Sequence, residues 1–231
     1  MKKHKVIGIL GGMGPEASRY LYDQLISIAV SDFGAQHNND FPEIVLHSIP
    51  VPDFISNIQK RDEAKKMLIE RTKLLNRYNL SSISIACNTA HILLPELQKI
   101  SKNTFISMVE EVVKDVKKQG LNRVGLLSSP MTINLSLYQS ALGAYNIECI
   151  VPTQVQQNRL EEIIRNVIAM KNDALASEDL LIITNSLKEN GATGIILGCT
   201  ELPLVYPLID QKNVFNSVSI LAKTLLYTYY N

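Results

Sequence analysis

Ser82-Ile83-Ser84-Ile85-Ala86-Cys87-Asn88-Thr89-Ala90-His91 and Gly194-Ile195-Ile196-Leu197-Gly198-Cys199-Thr200-Glu201-Leu202-Pro203 share one design. Each is a short apolar run stopping at a small residue, then a cysteine, then hydroxyl or amide residues. An upstream pair echoes it. Val6-Ile7-Gly8-Ile9-Leu10 runs into the glycine-rich turn Gly11-Gly12-Met13-Gly14-Pro15, and Val124-Gly125-Leu126-Leu127 runs into Ser128-Ser129-Pro130. The step from Cys87 to Cys199 is close to the step from Val6 to Val124. The chain therefore reads as two homologous halves, each placing one thiol at the carboxyl end of a strand. Two thiols facing one another across a cleft can remove and return one proton.

Strand-like apolar runs at 5–10, 43–49, 82–86, 104–108, 123–127, 147–151, 193–197 and 213–215 alternate with helix-period segments. The helices are expected at 15–32, 60–79, 91–101, 110–119, 131–144, 156–170 and 173–190. Within 60–79, Ala64, Met67, Leu68, Leu74, Leu75 and Tyr78 recur at three and four residues, leaving Lys65, Lys66, Glu70 and Lys73 outside. Continuous apolar strands alternating with helices imply parallel sheets covered on both faces, an α/β fold. The expected partition is 1–104 plus 209–231 for the first α/β domain and 105–208 for the second. The closing segment 217–230 is helical in pattern and has no evident counterpart in the first half, on which it is expected to pack. Ligands of open parallel sheets bind beyond the carboxyl ends of strands, so one cleft shared by both halves is the economical arrangement.

A chain of 231 residues, 46% hydrophobic and 19% charged, has the composition of a globular protein. Its 23 basic and 22 acidic residues create no field for nucleic acid or an anionic membrane. No apolar run reaches the roughly 18 residues of a membrane span, and the apolar stretch after Lys5 is too short for a secretory leader. Three cysteines, an odd number, argue against a disulfide framework and for a reducing, cytoplasmic setting.

Cys149, inside an apolar run, fits the common role of cysteine as a small buried hydrophobe. Cys87 and Cys199 do not, because each directly follows a strand at or before a helix start. There, the helix dipole and unpaired amides are expected to lower the thiol pKa from about 8.5. Asn88, Thr89 and Thr200 add donors for a carboxylate or an enolate-like intermediate. The turn Gly12-Met13-Gly14-Pro15-Glu16-Ala17 contains G-x-G-x-x-A, so a dinucleotide site is one reading. Pro15 removes an amide where a pyrophosphate needs one, and no lysine completes a Walker pattern. Close approach of a small anionic substrate to bare turn amides is the preferred reading. Cys87, His91 and Cys199 could in principle form a Cys2His zinc site, but the spacing has no further support and no metal is expected. His91 otherwise has a capping or packing role, or donates a hydrogen bond near the substrate. Arg159 opens a half-two helix on the sheet edge of the thiols. It is read as a carboxylate binder, against the plain alternative of a solvated surface arginine.

Leu10-Gly11-Gly12-Met13-Gly14-Pro15-Glu16-Ala17-Ser18, Ala86 to His91 and Leu197 to Pro203, in that order, resemble the aspartate/glutamate racemase family and most of all its aspartate racemases. The resemblance spans essentially the whole chain. It implies two pseudo-symmetric α/β domains with the active site between them, often assembled as homodimers. It also implies racemisation of aspartate or glutamate without a cofactor, one thiolate taking the α-proton while the other thiol returns one from the opposite face. By this likeness the Met13 backbone, Asn88, Thr89 and Thr200 line the α-carboxylate and ammonium positions. Ser129 and Thr132 offer hydroxyls from the second half. Arg159 stands where the family has a lysine or arginine for an acidic side chain, and Gln59 falls near another substrate contact. Two positions depart from the pattern. Phe54 stands where some aspartate racemases have an arginine for the distal carboxylate, and Asn216 replaces a frequent aspartate. The same scaffold would also suit isomerisation or decarboxylation of a small diacid, or amino-acid binding without turnover.

Overall fold

The computed structural model describes residues 5–52, 60–207 and 212–231. Two parallel sheets carry the fold. The first has the order β2-β1-β3, with β1 (Val6–Gly11) between β2 (Glu43–Ser48) and β3 (Leu80–Ile85). The second has the order β5-β4-β6-β7, built from β4 (Arg123–Leu127), β5 (Glu148–Ile150), β6 (Gly194–Leu197) and β7 (Val214–Asn216). Every described pairing is parallel. The helices are α1 (Pro15–Phe33), α2 (Arg61–Leu75), α3 (Leu94–Ile100), α4 (Met108–Lys118), α5 (Pro130–Asn134), α6 (Leu137–Gly143), α7 (Gln154–Ile168), α8 (Ala176–Glu189) and α9 (Ser217–Tyr230). None of them is long and apolar enough to cross a membrane.

The central strands have no polar face because both of their faces are covered. Along β1, Val6 and Leu10 pack with α2 and α3, whereas Ile7 and Ile9 pack with α1 and α9. Along β6, Ile195 and Leu197 meet α7 and α8, whereas Ile196 meets α4 and α6. This is the reason the strands read as unbroken apolar runs. The turn after β1 needs its glycine: Gly12 has φ +90°, and a Cβ there would lie 2.3 Å from the Ile49 nitrogen. Pro15 then occupies the first turn of α1 and Gly34, at φ 72°, ends that helix.

Several expectations shift. The run 104–108 forms no extended strand: Phe105 makes an isolated parallel bridge to Ile83, and helix α4 begins at Met108. The expected helix over 131–144 is broken between α5 and α6 by Ser136, which lies at φ 52°. The strand at the end of the chain belongs to the second sheet, because β7 pairs with β6. Residues 209–231 therefore do not return to the first half as one piece; the return begins at Ser217. The closing helix also has a counterpart. In the first half Phe105 bridges β3 and α4 follows, while in the second β7 pairs with β6 and α9 follows. Each of these helices crosses over: α4 packs into the core of the second sheet and α9 into that of the first. The crossed helices join the halves.

Asn216 sits at one such crossing. Its side-chain oxygen accepts hydrogen bonds from the Val218 and Ser219 amides, capping α9, and its Nδ2 donates to the Tyr20 hydroxyl on α1 at 3.0 Å. Asn216→Ala should lower unfolding stability by about 1–2 kcal/mol in urea titrations, the usual cost of losing a cap. An unchanged transition midpoint would contradict that role.

Candidate active site

Cys87 and Cys199 occupy equivalent places, each two residues beyond the end of its strand, β3 or β6. Both are buried, each 6% exposed. A short 3-10 turn follows each, Thr89–Leu93 after Cys87 and Leu202–Leu204 after Cys199. Beside Cys199 the ends of β4 and β6 are stitched together within the second half. Ser128 Oγ donates to the Gly198 carbonyl at 2.7 Å, and Gln157 Nε2 on α7 donates to the Ser128 carbonyl at 2.9 Å.

The two thiols have unlike neighbours. Cys199 Sγ donates to Glu201 Oε2 at 3.0 Å, and Thr200 Oγ1 donates to the same oxygen at 3.0 Å. The other carboxylate oxygen, Oε1, accepts from the Gly14 amide of the first half at 3.3 Å. Burial pushes the Cys199 thiol well above its ordinary value, and the Glu201 charge and hydrogen bond push it further. The charge of Cys87 adds to this, which places the two thiols within electrostatic reach of each other. The expected lowering by a helix start does not hold at Cys199, because a three-residue turn has little dipole to set against a buried carboxylate. Glu201 is itself raised by burial, partly offset by its donors Cys199, Gly14 and Thr200.

Beside Cys87 lies His91, wholly buried. Its Nε2 accepts from the Met108 amide at 2.9 Å, so Nδ1 carries the proton and donates to the Cys87 carbonyl at 2.8 Å. Both ring nitrogens are engaged by backbone, which removes the histidine from the Cys2His metal alternative. Among the described residues no cluster of three His, Cys, Asp or Glu side chains could hold a metal. Burial pushes His91 down to about 4. Cys149 is pushed up to about 12 by burial and stays an inert thiol of the second core.

The hydroxyls converge. Thr89 Oγ1 bonds to Ser129 Oγ at 3.0 Å and to Thr132 Oγ1 at 2.9 Å, a contact between the halves, and Ser129 donates to Thr132 at 3.0 Å. Asn88 Oδ1 accepts from the Tyr138 hydroxyl at 2.7 Å and its Nδ2 donates to Ser217 Oγ at 3.2 Å, so this side chain holds the turn after Cys87 in place. The turn amides are less bare than expected: Gly12 donates to Ser18 Oγ at 2.8 Å and Gly14 to Glu201. A pyrophosphate would have to displace both bonds, which counts against the dinucleotide reading.

A cavity of about 210 Å³ opens beside Cys87, walled by Gly12–Pro15, Val51, Pro52 and Thr89 from the first half and by Arg165 and Ile168 from the second. Met13, Cys87 and Thr89 of the expected set line it. Cys199 does not; it is linked to Gly14 of that lining through Glu201. Arg159 stands elsewhere. Its guanidinium is bonded to Asp179 at 2.6 Å, Asp173 at 2.8 Å and Glu162 at 3.1 Å, an ion-pair cluster between α7 and the segment leading through α8. Three carboxylates engage it there, and it does not line the cavity beside Cys87. Gln59 and Phe54 lie outside the described residues. A larger open groove of about 980 Å³ at the amino ends of the first sheet, around Lys5, Asn79 and Tyr229, has no cysteine or histidine in its described lining.

Paired thiols at matching strand ends of two parallel sheets fit an isomerase that moves protons at carbon. Comparison with known proteins defines the class. A family model described as Asp/Glu/hydantoin racemase matches residues 10–225, and the chain belongs to that family. It is 29% identical over 227 residues to the broad specificity amino-acid racemase RacX of Bacillus subtilis (strain 168), covering 97% of this chain and 98% of the relative. The Picrophilus torridus aspartate racemase superposes with a TM-score of 0.83 at 28% identity, covering 98% of this chain and 94% of that one. An aspartate racemase homologue from Pyrococcus horikoshii OT3 gives a TM-score of 0.82 at 29% identity, covering 98% and 100%.

Glu201 is the site residue that sequence reasoning passed over. Its signal was a carboxylate immediately beyond an apolar strand and a cysteine, within a block otherwise apolar or hydroxylic. Glu201→Gln should lower the Cys199 thiol pKa, because the nearest negative charge is removed. Alkylation of Cys199 by iodoacetamide across pH 7–10, followed by mass spectrometry, should then begin at lower pH than in the wild type. An unmoved profile would refute the coupling.

His91 is depressed in the folded state from an ordinary 6.5 to about 4. The unfolded chain therefore binds the extra proton first as pH falls. Stability is intact above 6.5, declines through the interval to about 4, and loses roughly 3 kcal/mol by the end of it. His91→Gln, which retains a donor and an acceptor, should flatten that limb of the stability–pH curve measured by denaturant unfolding. Persistence of the full slope would mean that another group carries it.

Proposed function

We propose that the protein racemises an amino acid by direct proton transfer at Cα between Cys87 and Cys199, with no cofactor. The observation that carries this reading is the equivalence of the two cysteines, each two residues past the end of a parallel strand and each within electrostatic reach of the other. In one direction the Cys87 thiolate forms an S–H bond with the α-hydrogen as the C–H bond breaks. The electron pair left on Cα delocalises into the carboxylate. The Cys199 S–H bond then breaks as its proton joins Cα from the opposite face. The products are the other enantiomer, a Cys87 thiol and a Cys199 thiolate, and turnover in reverse exchanges the roles.

The α-hydrogen is a weak acid, so the charge that develops on the carboxylate must be stabilised by donors that are already in place. Thr89 Oγ1, at the cavity wall, and the backbone at Met13 can supply them. Ser129 and Thr132 orient Thr89, and Asn88, through Tyr138 and Ser217, fixes the turn that carries Cys87. Burial and Glu201 keep the proton on Cys199 in the resting protein, which suits Cys199 to the donor's part in this direction. Thr200, bonded to Glu201, helps to hold that carboxylate ionised in the interior. The acidic substrates implied by the resemblance need a cation for a distal carboxylate, and Arg159 is committed elsewhere. The reading therefore concerns the chemistry at Cα.

Each thiol should contribute an acid–base factor of about 10²–10⁴. Cys87→Ala and Cys199→Ala should each cut racemisation, followed by circular dichroism, by at least about 100-fold. With the wild type in D2O, the product enantiomer should acquire deuterium at Cα before the starting enantiomer does, since each face has its own base. Near-wild-type turnover by either variant, or equal early labelling of both enantiomers, would sink the two-base scheme.

A further inference from the structure

The described lining of the cavity beside Cys87 combines Cys87 and Thr89 with the glycine turn and a mostly apolar set, Met13, Pro15, Val51, Pro52 and Ile168. Ile168, the last residue of α7, is pressed against the glycine turn, for a Cβ built on Gly14 would lie 3.5 Å from its Cγ1. Arg165, one turn earlier on α7, is the single charged side chain of the described lining. Its Nε and Nη2 donate to the Glu161 carboxylate at 2.9 and 2.8 Å.

We propose that this wall selects an amino acid with an uncharged, apolar side chain of about the size of leucine or methionine over aspartate or glutamate, with Ile168 as the residue that sets the choice. The inference rests on the racemase reading and names its substrate class. With the α-carbon placed beside Cys87, the side chain must share the cavity with the rest of its lining, which is mostly apolar. A carboxylate there would shed its water against aliphatic carbon, or would have to compete with Glu161 for Arg165, and either course is costly. An apolar side chain removes hydrocarbon from water on both partners. The volume of about 210 Å³ admits one small ligand, below the usual range of drug-sized sites.

The test uses the purified full chain in D2O and a panel of L-amino acids, with Cα deuterium exchange read by proton NMR and expressed as kcat/KM. Methionine or leucine should exceed aspartate and glutamate by at least about tenfold, the range that a mismatched pocket imposes. Ile168→Lys should lower the methionine value and raise the aspartate value, narrowing or inverting the ratio. A wild-type preference for aspartate or glutamate overturns the inference while leaving the racemase reading standing. So does an unchanged ratio in an Ile168→Lys protein whose circular dichroism is that of the wild type. Exchange in no member of the panel removes the racemase reading and this inference together.

Discussion

A buried carboxylate couples the two halves. Glu201 sits in the turn after β6 yet accepts the Gly14 amide from the turn after β1, and its other oxygen holds the Cys199 thiol and the Thr200 hydroxyl. An isolated carboxylate in such surroundings would be costly; three donors make it tolerable. The same contact ties the glycine turn of the first half to the second cysteine. The rest of the architecture serves that contact: the crossed helices α4 and α9 lock one sheet against the other, and the Thr89–Ser129–Thr132 cluster ties them again beside Cys87.

Much of this was legible in the chain. Unbroken apolar runs ending at small residues specify central parallel strands, and the doubled cysteine block specifies their equivalence, because both depend on local order alone. What lay beyond reach depends on direction in space. Arg159 was expected to face substrate, but a helix turns by about 100° per residue, so the face that meets the cleft is fixed only by how α7 packs. That face carries Arg165 and Ile168, while Arg159 meets Asp173 and Asp179. The run 104–108 carries a strand pattern but makes a single bridge, since Ser107 already caps α4, which begins at Met108. That shortening concealed the likeness between α4 and α9. The shift of Cys199 to higher pKa was likewise invisible, because it depends on a carboxylate two residues away folding back onto the sulfur.

The repeat is symmetric in backbone and asymmetric in charge. Cys87 has a neutral histidine behind its carbonyl, and Cys199 has a carboxylate at its sulfur. On the proposed scheme the two thiolates therefore differ in free energy inside the protein, although the enantiomers they connect have equal free energy in water. Thermodynamics then forces kcat/KM to be the same in both directions, since their ratio must equal an equilibrium constant of unity. The asymmetry can reside only in kcat and KM taken separately: the direction that begins from the less stable protonation arrangement must compensate in binding for what it gains in rate. A carboxylate placed beside one of two otherwise matching thiols cannot bias the position of equilibrium. It determines which protonation state waits for substrate, and so which enantiomer meets a protein already prepared for it.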